Sequence, residues 1–354
     1  MGLNILSPAE QVAAHLRDEI ANGRWKNQMP GIAHLKSILG VNHVTINAAL
    51  RQLEQEGWLA SQGRRRCRRI VRTPSRQDTR PMRFRLIPYD KENRAEPDCL
   101  AILDGLHKQG HLASFARKSL HELGMNPERV ARFVAGVEAD AWIVSGASRE
   151  VFEWFARQDC PAIGLFGRFS DVPIAGVGVR KSPLLASLVR RLASLGHHRI
   201  VMLSHRERIV PNVALGERNF LAAMAGCGIP TSPFNLPEWE PSNAGLRRCI
   251  EGLFRHTPPT ALIVAEPRHF IAIQNQLTTR GIRVGQDVSM ICCDPDPSFR
   301  WCHPTVTHMQ WETKKVVNHV VRWSNQVALG KKPVRQKLYD AFLVEGESIG
   351  PAPR

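Results

Sequence analysis

Residues 42–58 read NHVTINAALRQLEQEGW, and this stretch decides the fold of the N-terminal part of the chain. Its large apolar side chains recur at three- and four-residue spacing and therefore share one face of a helix: Ile46, Leu50 and Leu53. Three polar side chains follow one another at four-residue spacing on the opposite face: His43, Asn47 and Arg51. Asn42 is a typical N-cap and Gly57 a typical helix end, so the stretch predicts one helix with a buried face and a hydrogen-bonding face.

Two more helices are predicted upstream of this one. The first opens with a capping-box pattern and a helix-starting proline, followed by apolar residues at every fourth position: Ser7, Pro8, Glu10, Val12, Leu16 and Ile20. The second is short, follows Pro30 and ends at Gly40. Downstream, residues 58–60 and 69–71 predict two short strands. Three helices followed by a hairpin are typical of a winged helix-turn-helix domain, for which we expect the bounds 1–72.

The predicted hairpin carries a run of arginines, which are Arg64, Arg65, Arg66, Arg68 and Arg69. Residues 1–85 contain 15 Lys and Arg against 6 Asp and Glu, which is more than half of the +16 net charge of the 354-residue chain. Such a local excess indicates a polyanionic partner, and arginines on a narrow wing suit phosphates or a minor groove. A solvated helix face and a flexible basic linker are the alternative interpretations of the two features.

Double-stranded DNA is the partner that this combination favours, because the polar helix face can donate hydrogen bonds to phosphates and base edges. The residues predicted to contact DNA are Asn42, His43, Thr45, Asn47, Arg51, Arg64, Arg65 and Arg66.

The same residues resemble a known family. The segments LRDEI (16–20), GRW (23–25), LGVNHVT (39–45) and ALRQLEQEGW (49–58) run almost without gaps in the pattern of the GntR-type winged helix. That resemblance implies a DNA-binding regulator. The chain departs from the family at Asn42-His43, where Ser-Arg is usual, and at residues 31–33, where Ser-Glu-Arg is usual, so two arginines that contact DNA in the family are absent here.

The remainder of the chain predicts a larger α/β part. Residues 73–81 are polar and contain prolines, which indicates a linker. From residue 82 onward, short apolar strands alternate with helices: strands at 84–87, 141–144, 162–165, 199–203, 261–264 and 288–293, and helices at 99–108, 150–157, 184–195, 220–225 and 269–279. This alternation is typical of parallel sheets. Because about 270 residues are too many for one sheet, we expect two lobes with a ligand cleft at the carboxyl ends of their strands.

A second resemblance sharpens the lobe boundaries. The segments LGHHRI (195–200), TALIVA (260–265), GIRVGQDVSMICCD (281–294) and PTVT (304–307) resemble the LacI-type effector domain, which is itself similar to periplasmic sugar-binding proteins. In that family the chain crosses between the lobes three times. The implied first lobe is about 82–179 plus a segment after 294, and the second lobe about 180–293 plus a C-terminal segment, within an effector domain at 82–354.

The LacI-type resemblance also implies a sugar-like effector. It matches Asp294 to the family's acid that accepts effector hydroxyls, and Trp239 to a position near its stacking aromatic. Topology adds Tyr89 and Ser145, and the resemblance adds Arg218, which lies close to the position of an effector-contacting Arg in the family. The chain departs from the family at Glu266-Pro267, where Asn-Asp is usual, and at Gly216, where an effector-contacting Arg is usual. An Asp that caps a turn and a Trp packed at a rim are the alternative interpretations of the first two candidates.

Several function classes find no support in the sequence. It contains no GxGxxG after a strand, no P-loop, no GxSxG and no CxxC pair, so we predict no enzyme, no cofactor and no metal site. No apolar run reaches the length of a membrane span and no export signal opens the chain. Eight cysteines without a signal peptide predict reduced thiols in the cytoplasm.

The prediction is therefore a cytoplasmic transcription regulator, expected to be a homodimeric repressor, whose operator binding a small effector modulates. Two alternatives stay open. One is a DNA-binding protein whose sensor domain has lost its ligand, and the other is an enzyme with a basic DNA-binding appendage. A transporter's solute-binding protein fits less well, because such a protein would carry an export signal and no winged helix.

Overall fold

The computed structural model describes residues 7–21, 24–25, 27–63, 66–71, 81–210 and 212–353. The chain forms two compact units, of which the first comprises Met1–Val177 with Lys314–Gln336 and the second Gly178–Thr313 with Lys337–Arg354. It therefore passes from one unit to the other three times. The first unit holds the winged-helix domain and the first lobe, and the second unit is the second lobe. Residues 73–80 of the predicted linker lie outside the described residues.

The winged-helix domain contains three helices and a two-stranded antiparallel hairpin: α1 (Pro8–Ala21), α2 (Ile32–Leu39), α3 (His43–Gln55), β1 (Leu59–Ala60) and β2 (Arg69–Ile70). The predicted capping box is confirmed, since the Ser7 amide donates to a Glu10 carboxylate oxygen at 2.7 Å and the Glu10 amide donates to Ser7 Oγ at 3.3 Å. The predicted cap of α3 is confirmed as well, because Asn42 Oδ1 accepts from the Thr45 amide at 2.9 Å.

The core of this domain sets the rotation of α3. The apolar residues predicted to face inward are almost fully buried with those of α1 and α2: Leu16, Ile20, Leu35, Ile46, Leu50 and Leu53. Two ion pairs tie neighbouring parts to α3, since Arg17 donates to Glu56 at 2.5 Å and Arg68 of the wing donates to Glu54 at 2.6 Å. Burial on one side of α3 leaves the other side open to solvent.

The two lobes are built from alternating strands and helices, in chain order β3 (Arg83–Ile87), α4 (Pro97–Lys108), β4 (Leu112–Phe115), α5 (Pro127–Ala135), β5 (Ala141–Ser145), α6 (Arg149–Ala156), β6 (Ala162–Leu165), β7 (Ala175–Arg180), α7 (Ser182–Ser194), β8 (Ile200–Leu203), α8 (Leu215–Gly226), α9 (Asn243–Arg255), β9 (Ala261–Val264), α10 (Pro267–Thr279), β10 (Ser289–Cys292), β11 (Thr307–Gln310), α11 (Thr313–Ala328), β12 (Gln336–Asp340) and β13 (Phe342–Val344). This arrangement confirms the predicted α/β fold class with a winged helix in front.

Each lobe is organised around one sheet. The first-lobe sheet has the strand order β12-β7-β6-β5-β3-β4, and β3 to β7 pair in parallel. The second-lobe sheet has the order β13-β11-β10-β9-β8, parallel except for the antiparallel pair of β11 and β13. Central strands such as β5 and β9 are buried along their whole length, as expected for parallel strands covered by helices on both faces.

Two glycines in the first-lobe sheet make room for an aromatic ring. A Cβ on Gly164 of β6 would lie 2.9 Å from both Phe152 and Phe169, and a Cβ on Gly176 of β7 would lie 2.7 Å from the Phe169 ring. The Phe152 and Phe169 rings themselves pack edge to face with centroids 5.8 Å apart. The ring of Phe169 therefore lies directly against the backbone of the sheet, which only glycine permits at this distance.

One buried acid links the winged-helix domain to the first lobe. The Glu19 side chain of α1 is only 5% exposed. It accepts a hydrogen bond from Arg322 of α11 at 2.8 Å and also forms an ion pair with Arg24. A carboxylate removed from water in this way needs its counter-charges, because an unpaired buried charge is costly.

We expect Gly164→Ala to destabilise the first lobe by about 1–3 kcal/mol, because the added methyl meets two rings that have no room to move. The measurement is the midpoint of urea unfolding of the full chain. Gly252→Ala on α9 is the matched control, since nothing lies within 4 Å of its Cβ position. Alanine in a helix should leave that variant as stable as the wild type or more stable by up to about 1 kcal/mol. Equal midpoints for Gly164→Ala and wild type would contradict the tight packing.

Candidate functional site

The outer face of α3 carries the predicted DNA contacts of the helix. His43 and Arg51 are exposed and Asn47 is half-buried, and among the described residues none of their side chains has a hydrogen-bond partner. Other polar side chains of the same helix are already engaged, since Gln52 donates to Glu56 at 2.9 Å. The structure thus brings three side chains with free hydrogen-bonding groups together on one face.

Asn42 and Thr45 have a structural task at the start of α3. The Asn42 side-chain oxygen and the Thr45 amide form the N-cap, which leaves the Asn42 NH2 group and the half-buried Thr45 hydroxyl for other contacts. Their predicted contact with DNA stays a prediction.

The wing supplies positive charge beside this face. Arg66 and Arg69 are exposed, whereas Arg68 is partly covered by its ion pair with Glu54. Arg64 and Arg65, predicted as DNA contacts, lie outside the described residues. Helix face and wing together can bind a polyanion and donate hydrogen bonds to groups at its surface.

In the first lobe, Tyr89 and Ser145 lie close to the same sheet edge. Ser145 is buried at the carboxyl end of β5, and Gly146 follows it with a φ of 68°. A Cβ on Gly146 would lie 3.0 Å from Tyr89 Cβ, so the tyrosine packs against the turn that follows β5. The two predicted candidates are therefore neighbours at this edge, and their contact with an effector stays a prediction.

In the second lobe, Asp294 directly follows β10 and forms an ion pair with Lys181, which directly follows β7. Each side chain is about one-third exposed. The Lys181 ammonium also lies 4.9 Å from the centre of the Trp311 ring. Burial acts to lower the pKa of Lys181, but the Asp294 carboxylate outweighs it and leaves the pKa of the lysine raised, so the lysine is charged at neutral pH.

A second carboxylate of this lobe is fully buried and neutralised. Glu217 of α8 accepts from Arg208 Nε at 2.5 Å, from Arg208 Nη2 at 3.0 Å and from Ser204 Oγ at 2.6 Å. Burial alone would raise the pKa of Glu217, but the Arg208 guanidinium and the Ser204 hydroxyl hold it below its ordinary value. The arginine is thereby fixed in a fork-to-carboxylate geometry.

The third carboxylate belongs to Glu266, which lies two residues after the end of β9. It accepts from His205 Nε2 at 2.5 Å and forms an ion pair with Arg268, whose Nε lies 2.6 Å away, and His269 Nδ1 lies 3.7 Å away. Burial acts to raise the pKa of Glu266, but the hydrogen bond from His205 and the nearby positive charges lower it to about 2. Burial lowers the pKa of His269 to about 4, against the pull of Glu266, so this imidazole is neutral at pH 7.

Trp239 lies in the core of the second lobe. It is only 8% exposed, and its Nε1 donates to the Ser204 carbonyl at 3.0 Å. Its ring packs edge to face with the His269 ring, with the two ring centroids 4.9 Å apart. Arg218 lies on the exposed side of α8. The structure therefore does not bring Trp239 and Arg218 together, and their roles as effector contacts stay predictions.

Sequence reasoning did not single out Lys181, Arg208, Glu217 or His205. A usable signal existed for two of them, because Lys181 directly follows β7 of the first-lobe sheet and His205 follows β8 of the second-lobe sheet by two residues. The carboxyl ends of parallel strands are where α/β folds place functional side chains. Arg208 and Glu217 carry no such signal, since their pairing depends on how the segment before α8 folds back.

Other features of the described residues add little to this site. A cavity of about 470 Å³ opens between α7 and α8, lined by residues such as Ala186 and Asn219, and it includes none of the predicted effector residues. Within the described ranges, no group of three or more His, Cys, Asp or Glu side chains is arranged to hold a metal ion. Among the helices that the structure describes, none is long and apolar enough to cross a membrane.

Two family models match the sequence. Residues 8–68 match the gntR family of bacterial regulatory proteins, and residues 189–349 match the periplasmic binding protein-like domain. A search of the curated proteins finds no match.

Solved structures share the fold of the two lobes. A LacI family transcriptional regulator from Enterococcus faecium with bound ribose superimposes with a TM-score of 0.62 at 17% identity, over 77% of this chain and 100% of that one. The transcription regulator CcpA of Lactococcus lactis reaches 0.63 at 14% identity, over 76% and 100%. A complex of the transcriptional regulator CelR with cellobiose reaches 0.61 at 17% identity, over 90% and 100%.

Both resemblances noted in the sequence are thus confirmed, one for each part of the chain. The protein is a transcriptional regulator that joins a gntR-family DNA-binding domain to a periplasmic binding protein-like domain with the fold of the LacI-type regulators.

Proposed function

We propose that this regulator is a repressor that binds a two-fold symmetric operator as a homodimer. A small ligand lowers or raises its affinity for that operator. The observation that carries the proposal is the outer face of α3, where His43, Asn47 and Arg51 lack partners among the described residues. A dimer presents two such faces, and half-sites one helical turn apart would accept them. As a DNA-binding protein it would act in the cytoplasm.

We propose a sugar-like effector that binds at the carboxyl edge of the second-lobe sheet. Asp294 supports this ligand class, because one carboxylate can accept hydrogen bonds from two neighbouring hydroxyls. Structures of the same fold contain ribose and cellobiose. Binding would exchange part of the Lys181–Asp294 ion pair for hydroxyl contacts, so ligand affinity depends on how readily that pair opens.

Coupling follows from differential affinity. A ligand that binds one arrangement of the effector domain more tightly shifts the population toward it, and only by that difference in binding free energy. This population shift would alter the spacing of the two α3 helices in the dimer, and with it the affinity for the operator. We propose no catalytic role, since Asp294, Glu217 and Glu266 of the second lobe are each held by a lysine or an arginine.

A second candidate function is a regulator without a ligand. The observation that favours it is the internal pairing of the same three acids, Asp294 with Lys181, Glu217 with Arg208 and Glu266 with His205 and Arg268. Side chains that already satisfy one another hold the site without an added molecule. In this case DNA binding would be constitutive.

Simultaneous replacement of Arg64, Arg65 and Arg66 by Ala should weaken binding to every duplex and flatten the salt dependence. Each lost phosphate contact removes about 0.9 from the slope of log K against log salt, so the slope should fall by up to about three. The measurement is fluorescence anisotropy of a labelled 30-base-pair duplex titrated with the full chain at several salt concentrations.

The matched control for the wing variant removes the same charge elsewhere. Arg247, Arg248 and Arg255 lie on α9 of the second lobe, and their replacement by Ala should leave the slope unchanged. An unaltered slope in the wing variant would contradict the wing as a DNA contact.

Asp294→Asn should weaken effector binding by about 1–3 kcal/mol while leaving DNA affinity unchanged, because the charge that accepts the ligand hydroxyls is lost. The measurement is thermal unfolding of the full chain with a panel of pentoses, hexoses and disaccharides, since a bound ligand raises the melting temperature. Asp159→Asn, an exposed acid of the first lobe, is the control.

Two outcomes of the sugar panel separate the candidates. A sugar that stabilises the wild type and Asp159→Asn but not Asp294→Asn supports the sugar-binding regulator. A panel in which no sugar raises the melting temperature contradicts it and favours the regulator without a ligand.

A further inference from the structure

The outer face of α3 includes an apolar side chain that the fold does not use. Val44 is 63% exposed, the largest exposure among the large apolar residues of the described winged-helix domain. It lies in the first turn of α3, between the N-cap and the buried Ile46. The core of the domain is made by the opposite face of the helix, so Val44 contributes nothing to it.

Valine is also a poor choice for an exposed helical position. Its branched Cβ restricts the side-chain rotamers, and alanine would favour the helix at no cost in packing. A solvent-exposed valine in the middle of a polar, cationic surface therefore has no stabilising role within the chain. Contact with a partner is the use that the fold leaves open for it.

The neighbours of Val44 show which partner chemistry suits it. Asn47 lies three positions further on and Arg51 seven, so the three side chains form one row along the helix. Ala48 beside them is exposed and small, which lets another surface come close to the helix. Among the described residues the Asn47 amide has no hydrogen-bond partner, so its donor and acceptor are both free for an outside group.

Base edges in the major groove offer complementary groups to this row. The C5-methyl of thymine is the apolar group exposed there, and it accepts contact from small apolar side chains. An Asn amide matches the N6 and N7 atoms of adenine in a two-bonded geometry. Guanine is read best by arginine, and the row offers its only guanidinium at the far end, at Arg51.

We propose that Val44 is a specificity-determining residue that contacts the methyl group of a thymine in the operator, next to the base pair whose adenine bonds Asn47. The inference rests on the proposed DNA-binding function and narrows it to an operator half-site with adjacent A·T pairs at the centre of the α3 contact. Side chains three positions apart on a helix are about 5–6 Å apart, which suits neighbouring base pairs.

The test begins by selecting binding sites from a randomised duplex library with the full-length protein. The consensus duplex is then remade with deoxyuridine in place of each thymine in turn, which deletes one methyl group and leaves base pairing intact. We expect one thymine in each half-site at which methyl deletion lowers the affinity of the wild type by about fourfold. This factor corresponds to the free energy of burying one methyl group.

Variants assign that loss to a side chain. Val44→Ala, which retains only Cβ, should lose clearly less affinity than the wild type on methyl deletion at this position, and Asn47→Ala should keep the thymine effect and lose the preference for adenine at the adjacent pair. Val334→Ala is the matched control, because it removes the same atoms from a valine that is 61% exposed and lies outside the winged helix. It should behave as the wild type.

The outcomes separate the inference from the function beneath it. If selection enriches a sequence but Val44→Ala and the wild type lose the same affinity on methyl deletion, the role of Val44 is overturned and DNA binding stands. The same holds if no thymine shows a methyl effect. If selection enriches no sequence at all, sequence-specific DNA binding itself is contradicted, and the inference falls with it.

Discussion

Burial of Ile46, Leu50 and Leu53 against α1 is the constraint on which the rest of the DNA-binding argument depends. A helix rotates as a whole, so fixing three side chains inside the core fixes every other side chain on its surface. The ion pairs of Arg17 with Glu56 and of Arg68 with Glu54 hold the end of α3 and the wing in place around that core. The outer face is therefore presented as a rigid row, which costs little conformational entropy when it meets a partner.

The second lobe follows a different constraint, the shared edge formed by parallel strands. Glu266 and Asp294 come from separate segments and lie at the same edge because β9 and β10 end there. Each carboxylate is paired with a cation, Asp294 with Lys181 and Glu266 with Arg268, in partly buried surroundings where an unpaired ion would be expensive. A ligand at this edge must therefore compete with protein groups as well as with water, which favours ligands that carry several hydroxyls.

Local pattern explains what could be predicted from the sequence and what could not. The strands at 162–165 and 261–264 have the predicted bounds, because short apolar runs flanked by turn residues have few other solutions. The strand β7 escapes prediction, since its glycines are poor strand formers and one of them, Gly176, is required by the Phe169 ring, a contact that only folding creates. Exposed β12 has no apolar alternation to reveal it. The site divides in the same way: Asn42 as a cap is a local feature, whereas the Arg208–Glu217 pair exists only after folding.

The buried Glu19 of α1 has a consequence for how the protein moves. Two guanidiniums serve this acid, one from its own domain and one from α11 of the first lobe. Separation of the winged-helix domain from α11 would remove the Arg322 counter-charge and leave Glu19 paired with Arg24 alone. The position of the winged-helix domain against α11 is therefore stabilised by an ion pair, which separation would break.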